Sequence, residues 1–223
     1  MNILVTGGTG YVGSKIIEAL LENNHKVYCI VRPNSVNKIT SNNNIIPLVA
    51  DILNPFSINI TNIDLIIHLV AIIKEIPENN ITYENLNFLS AKNMIDIAKR
   101  DGVNRFILMS AVGNPPGMFK GYYHYKVLAE NYLKQSGLNW TIFKPSLIYD
   151  KSWKGKSVGW IKLFNWILNI GSYLPLIGSW IKKWQPISRP NIAKAFLYAA
   201  ENQSCNNKII SGKDLFKIVK ASH

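Results

Sequence analysis

The sequence predicts an α/β fold, a doubly wound and mostly parallel sheet with helices on both faces and a small C-terminal helical lid. Three observations predict it. Short continuous apolar runs alternate with segments of helical period, the pattern of strands buried on both faces and joined by crossover helices. The first apolar run passes straight into a glycine cluster and then a helix, in the order strand, tight turn, helix. At 223 residues the chain suits one domain spanning 1–223.

Each element follows from a local pattern. Ile3, Leu4 and Val5 form the first strand, Gly7, Gly8, Gly10 and Gly13 follow at once, and a helical pattern runs from Tyr11 to about Asn23. Residues 27–31 are a second strand, 45–49 a third closed by Asp51, and 65–70 a fourth. Leu86, Leu89, Met94, Ile95 and Ala98 give a helix over 83–101 its apolar positions. A fifth strand occupies 105–110, a helix 123–135, and a sixth strand 141–144. Ligands of such sheets bind beyond the carboxyl ends of the strands, where the strand order reverses. Those ends are Thr6, Arg32, Asp51, His68 with Leu69, Val70 and Ala71, then Ser110 and Pro145, which are expected to converge on one crevice.

The stretch 151–184 departs from the alternation. Within 158–184 stand Trp160, Phe164, Trp166, Tyr173, Trp180 and Trp184, interrupted by Gly171, Pro175, Gly178 and lysines. Two short amphipathic helices broken near 171–175 fit this pattern, and a lid over the crevice is the first expectation. The rivals are a pocket for an apolar small-molecule substrate, or a Trp- and Lys-flanked face lying on a membrane or partner protein.

Composition narrows the classes. No uninterrupted apolar stretch reaches the roughly 18 residues of a spanning helix, and the N-terminal apolar run is too short for a signal peptide. Cys29 and Cys205 form no metal or disulfide spacing, which points to a reducing compartment, the cytoplasm, with peripheral membrane association as the variant. The net charge of +12 comes from scattered basic residues. It allows attraction to phosphates or an anionic surface, and nucleic acid, with only net charge in its favour, is not expected as a partner.

The glycine cluster carries the first chemistry. A glycine lets the chain reverse with φ > 0, another lets the backbone approach a pyrophosphate, and Gly13 lets the helix pack close to the strand. The helix N-terminus then offers N–H groups and a positive dipole end to phosphates. Thr6, Gly7, Gly8, Thr9, Gly10, Tyr11, Val12 and Gly13 are therefore the candidate cofactor residues of the turn. Selectivity is read after the second strand. An NAD site places a carboxylate about 20 residues past the glycines, but here the chain reads Val31-Arg32-Pro33-Asn34-Ser35. Arg32 suits a 2′-phosphate through a charge-assisted contact, with Ser35 or Lys38 in support. NADP is the expected cofactor and NAD the alternative.

A second cluster joins Ser110 to Tyr122-Tyr123-His124-Tyr125-Lys126. Tyr122 and Lys126 share a helix face. An ammonium beside a phenol lowers the phenol's pKa, and the phenol then moves the proton that accompanies hydride transfer at a carbonyl. Ser110, at the end of the neighbouring strand, is placed to hold the carbonyl oxygen. Tyr123 and Tyr125 are rival phenols, and His124 reads as a surface residue.

These motifs resemble the short-chain dehydrogenase/reductases, with Ser110, Tyr122 and Lys126 similar to their catalytic triad. Gly7-x-x-Gly10-x-x-Gly13, Asp64 to Ile73, Tyr83 to Asn87, Gly102 to Ser110, Tyr122 to Lys126 and Ser136 to Ser146 resemble the atypical, NmrA-like branch. Within it they are similar to the relatives of the dehydrogenase-like accessory subunit of respiratory complex I. The resemblance covers roughly 1–150, with a weaker tail at 185–200. It implies a Rossmann-type sheet and an NAD(P)-dependent oxidoreductase, with a carbonyl, alcohol or enone substrate. The alternative it implies is a non-catalytic NAD(P)H-binding accessory, assembly or redox-sensor protein at a membrane complex. It further implies Asp51 and Ile52 beside the adenine, Lys126 on the nicotinamide ribose, and Leu69, Val70, Ala71, Pro145 and Ser146 along the cofactor. No metal is implied. The chain departs from the branch at Lys144, where arginine is usual, and at Ser188-Arg189-Pro190-Asn191, where acidic residues are usual. Asn191 is the expected N-cap of the last apolar helix.

Overall fold

The computed structural model describes residues 1–39, 42–55, 58–113, 120–150 and 184–221. Within them run β1 (Asn2–Thr6), α1 (Gly13–Glu22), β2 (Lys26–Val31), β3 (Ile45–Val49) and β4 (Leu65–His68). A π-helical segment (Glu84–Leu89) continues into α2 (Ser90–Arg100), followed by β5 (Arg105–Met109), α3 (Lys120–Lys134), β6 (Asn139–Lys144) and β7 (Ile148–Tyr149). Then come β8 (Ile187–Ser188), α4 (Arg189–Glu201), β9 (Lys208–Ser211) and α5 (Gly212–Ala221). Seven strands form one sheet in the order β3-β2-β1-β4-β5-β6-β9, every neighbouring pair parallel. The short strands β7 and β8 pair separately.

The strand order turns back between β1 and β4, so the crevice opens beyond their carboxyl ends. Both strands lie in the middle of the sheet, and Ile3, Leu4, Val5, Leu65, Ile66 and Ile67 are fully buried. Alternation along β1 divides the core. Ile3 and Val5 pack with Ile16, Leu20, Phe196 and Leu215 under α1, α4 and α5. Leu4 packs with Ile66, Met94, Ile95, Ala129 and Leu133 under α2 and α3. The doubly wound parallel sheet expected from the alternating pattern is the fold of this chain.

The structure adds to and corrects the local readings. The turn extends through Val12, so α1 starts at Gly13 rather than Tyr11. The helix read over 83–101 has a π-wound first part. A seventh strand, β9, pairs with β6. Its apolar pair Ile209-Ile210 is too short to stand out in the sequence. Asn191 is not the N-cap of α4. Cap and helix both come three residues earlier, with Ser188 extended in the capping position and Pro190 in the first turn, where proline's fixed φ and missing N–H are suited. The helical lid and the lid, pocket or membrane-facing readings of 151–184 lie outside the described residues, except at Trp184. Among the described residues no helix is long and apolar enough to cross a membrane.

Candidate functional site

The glycine turn separates two reasons for having no side chain. At Gly7, with φ 74°, a Cβ would lie 3.0 Å from the Leu69 carbonyl carbon and the Val70 nitrogen, because the loop after β4 lies against the turn. A Cβ on Gly8 would collide with Ile17 and Cys29, and one on Gly13 with the Gly7 carbonyl and Gly8 Cα. Packing within the protein requires these three. Gly10 differs, since its Cβ direction meets only the Gly7 carbonyl, at 3.1 Å. The Gly10 N–H closes the turn on that carbonyl at 3.0 Å, while no acceptor among the described residues meets the N–H of Thr9 or Val12. Open N–H groups, the positive end of α1 and the space over Gly10 fit an anionic group such as a pyrophosphate.

Around the turn, Arg32 is exposed where β2 ends and a short 3-10 helix (Pro33–Lys38) begins, with no acidic residue in its first turn. Ser35 is buried beneath it and Lys38 is exposed. The Asp51 carboxylate accepts from the Leu53 N–H at 2.9 Å. The Ile52 carbonyl accepts from the Asn93 amide at 3.0 Å, and its side chain leans on the core under α2. Leu69 is buried, Val70 half-buried and Ala71 exposed along the loop leaving β4. Asn87 clips that loop: its Oδ1 accepts from the Ile72 N–H at 2.8 Å and its Nδ2 donates to the Ile72 carbonyl at 3.1 Å.

Thr6 is on the turn by its backbone only. Its hydroxyl is buried against His68 Nδ1 at 2.9 Å, and His68 Nε2 meets Ser90 Oγ at 3.3 Å. Burial, reinforced by the Lys126 charge, holds His68 down to about 3, so the ring is neutral.

The tyrosine cluster is assembled differently from the expectation. Tyr122 and Lys126 both sit on α3, but the Lys126 amine is buried and donates to the Met109 carbonyl at 2.9 Å. Burial brings its pKa down to about 8, against the opposing pull of Glu130. Tyr122 packs edge-on to Tyr123 and Tyr83. Burial, with those two phenols, pushes it up to about 12. The expected lowering of this phenol by Lys126 is therefore reversed, because desolvation dominates and the ammonium is turned to the end of β5. Ser110 is also committed. Its hydroxyl donates to Glu130 Oε1 at 2.5 Å, and Glu130 is paired with Lys144 at 2.8 Å. The contact expected between this hydroxyl and a carbonyl oxygen is taken by the Glu130 carboxylate. Ser146 donates to the Trp184 and Gln185 carbonyls, both at 2.9 Å, and Pro145 is buried beside it. His124 is exposed, as expected.

A cavity of about 350 Å³ opens at the carboxyl ends of β4, β5 and β6, walled by Ile73, Val112, Tyr122, Tyr123, Leu147 and Trp184 among others. Tyr122, Tyr123, Ser146 and Trp184 are the lining residues with polar side-chain atoms.

Sequence reasoning missed Glu130, Asn87 and the hydrogen-bonding role of His68. Glu130 stands four residues after Lys126 on the same helix face, a signal that was available. Its pairing with Ser110 and Lys144 is tertiary and left no local trace.

Residues 7–160 match the family model described as NAD(P)H-binding. The chain is similar to a 3-beta-hydroxysteroid dehydrogenase from Mycolicibacterium neoaurum, 27% identical over 90% of this chain and 61% of that protein. It is similar to the photosystem II assembly factor Ycf39 from Cyanophora paradoxa, 29% identical over 65% of this chain and 44% of that one. The chain spans about half the length of the curated relatives it matches. Among solved structures, the oxidoreductase ylbE from Lactococcus lactis superposes with a TM-score of 0.71 at 18% identity, covering 99% of this chain and 96% of that one. A UDP-glucuronic acid 4-epimerase from Bacillus cereus in complex with NAD superposes at 0.66 and 20% identity, covering 96% and 78%. At these identities the structures speak for the fold alone.

Proposed function

The chain belongs to the NAD(P)H-binding family of Rossmann-type domains, and from that premise we propose that it is a reductase of the short-chain dehydrogenase type acting on an apolar carbonyl or enone. The observation that carries this is the apolar cavity beyond β4–β6, with Tyr122 in its wall. The turn from Gly7 to Gly13 would hold the pyrophosphate, and Arg32 the 2′-phosphate of NADP, with NAD as the alternative. Asp51, Ile52 and the Leu69–Ala71 loop would flank the adenine half, and Lys126 and Pro145 the nicotinamide half. When bound, the nicotinamide supplies the hydride.

The residues supply the proton and the setting. A phenol pushed up to about 12 stays protonated at neutral pH. It can donate to a developing alkoxide, which is more basic still, but it is a poor acceptor from an alcohol, so the reading favours reduction over oxidation. Lys126, near 8, keeps its charge at pH 7 and would hold a ribose hydroxyl. Ser110 would act through Glu130, keeping that carboxylate and Lys144 in place behind the phenols. The apolar walls of the cavity would select an apolar substrate.

The test is NADPH oxidation over a panel of ketones, enones and quinones, with cofactor affinity measured alongside. Tyr122→Phe is expected to lower turnover by roughly 10²–10⁴-fold while dinucleotide affinity holds. Turnover at the parent rate removes Tyr122 from catalysis and leaves Tyr123 to be tested.

A second reading is a non-catalytic NAD(P)H-binding accessory or assembly protein. It is favoured by the mutual satisfaction of Ser110, Glu130 and Lys144, which leaves no hydroxyl of the expected serine aimed at a substrate. A similarity to a protein named as an assembly factor points the same way. Under it, Lys126→Ala weakens the dinucleotide, Tyr122→Phe changes nothing, and membrane-complex subunits co-purify with the chain.

A further inference from the structure

We propose that Arg189, contributed by the start of α4, is a second anchor for the diphosphate of the dinucleotide. The proposal rests on the cofactor reading above and deepens it. Arg189 lies far along the chain from the glycine turn yet reaches it. Its Nη2 donates to Ser14 Oγ at 2.6 Å, and its guanidinium lies over the Tyr11 ring at 4.8 Å. Ser14 in turn donates to the Gly10 carbonyl at 3.1 Å.

The electrostatics of this position call for an anion. Arg189 is the first residue of α4 and Ser14 the second of α1, and neither helix has an acidic residue in its first turn. A cation is thus placed against two positive helix ends, the wrong sign for stability. The carboxylate that meets it is Asp150, through Nη1 at 3.4 Å, longer than the usual charge-assisted bond of about 2.7–2.9 Å. The Arg189 Nε is buried without a hydrogen-bond partner among the described residues. Near this loosely paired cation stand the open N–H groups of Thr9 and Val12 and the face of Gly10 that meets only the Gly7 carbonyl. A diphosphate there would complete all of them. Because NAD and NADP share the diphosphate, Arg189 would strengthen both alike, whereas Arg32 would select between them.

The test measures binding of NADPH, NADH and ADP-ribose to the full chain by calorimetry, with ligand-free melting followed separately. Arg189→Ala is expected to weaken all three ligands alike by roughly 10–100-fold, leaving the NADPH-to-NADH ratio unchanged. Arg189→Lys should recover part of the loss, and Ser14→Ala, which removes the helix-to-helix hydrogen bond but keeps the cation, should lose much less. Parent-like affinity in Arg189→Ala overturns the proposal. So does an equal loss in Ser14→Ala, which would make Arg189 a clasp between α1 and α4. A parent protein that binds none of the three ligands overturns the cofactor reading itself, a result separable from either of these.

Discussion

The glycine turn and the tyrosine cluster both lie beyond the carboxyl ends of the sheet's strands, yet they treat their polar groups in opposite ways. In the turn, Gly7, Gly8 and Gly13 are closed by several neighbours, while Gly10 meets only the Gly7 carbonyl and the Thr9 and Val12 N–H groups are left open. Behind α3, Ser110, Glu130 and Lys144 satisfy one another, and Lys126 is satisfied by a strand carbonyl. The first region is built to be completed from outside. The second is nearly complete by itself and presents phenols on an apolar wall. The cofactor and reductase readings proposed above thus rest on different regions, and substitutions should separate them.

The sharpest break lies within the turn. Gly13→Val drives a branched side chain into backbone and should abolish folding, whereas Gly10→Val should leave the melting temperature within a few degrees of the parent and eliminate measurable dinucleotide binding. Calorimetry on a folded Gly10→Val protein that retained parent affinity would mean that the open space is not the pyrophosphate site.

The next effect falls on the other region. Glu130→Ala strands Lys144 and the Ser110 hydroxyl, and should cost about 3 kcal/mol in denaturant unfolding. That is the low end for a broken buried pair, because Lys144 keeps some exposure. A cost below about 1 kcal/mol would show the cluster to be no more than a surface pair.

Arg32→Ala sharpens the division between fold and cofactor choice. It should weaken NADPH by one to two decades, from a lost charge-assisted contact of roughly 1.5–3 kcal/mol, and leave NADH nearly unchanged. Equal weakening of both cofactors would place Arg32 on the general phosphate path.

The smallest expected effect is a pH slope. Lys126 titrates near 8 in the folded chain against an ordinary 10.5. Between those values the unfolded chain binds the proton and the folded chain does not, so stability rises as pH climbs past 8. Relative to Lys126→Met, the parent should gain on the order of 1 kcal/mol between about pH 7.5 and 9. Parallel stability curves for the two proteins would place the amine in water.

The same contrast explains what the sequence could reveal. The sheet, its central strands and the turn are local: Ile3 to Val5 followed by four glycines within seven residues states strand, reversal and helix together. The site behind α3 is tertiary. Ser110 meets Glu130 across 20 positions and Lys144 meets it across 14, so the serine's true partner was out of reach of spacing arguments. The raised pKa of Tyr122 is tertiary too, since burial is its main cause and, after Tyr123, Tyr83 adds to it from the start of the π-wound segment. The start of α4 was misread because Asn191 is a good capping residue by type, while Pro190 just ahead of it already belongs in a first turn.

The π-wound segment Glu84–Leu89 makes this part of the chain sensitive to residue number as well as residue type. A π turn holds about one residue more than the α turn it replaces. Here it lets Asn87 clip the loop after β4 while Ser90 still meets His68. Deleting any one residue between Glu84 and Asn87 would let the segment close as ordinary α-helix. Residues upstream of the cut would keep their placement against α2, because one residue fewer in α winding closes the same rotation, but Asn87 inside the segment would be rewound away from the loop. A codon-length deletion there should therefore keep the helix but lose the clip, as should substitution of Asn87, and homologues with a shorter helix here would need a different clip for the same loop.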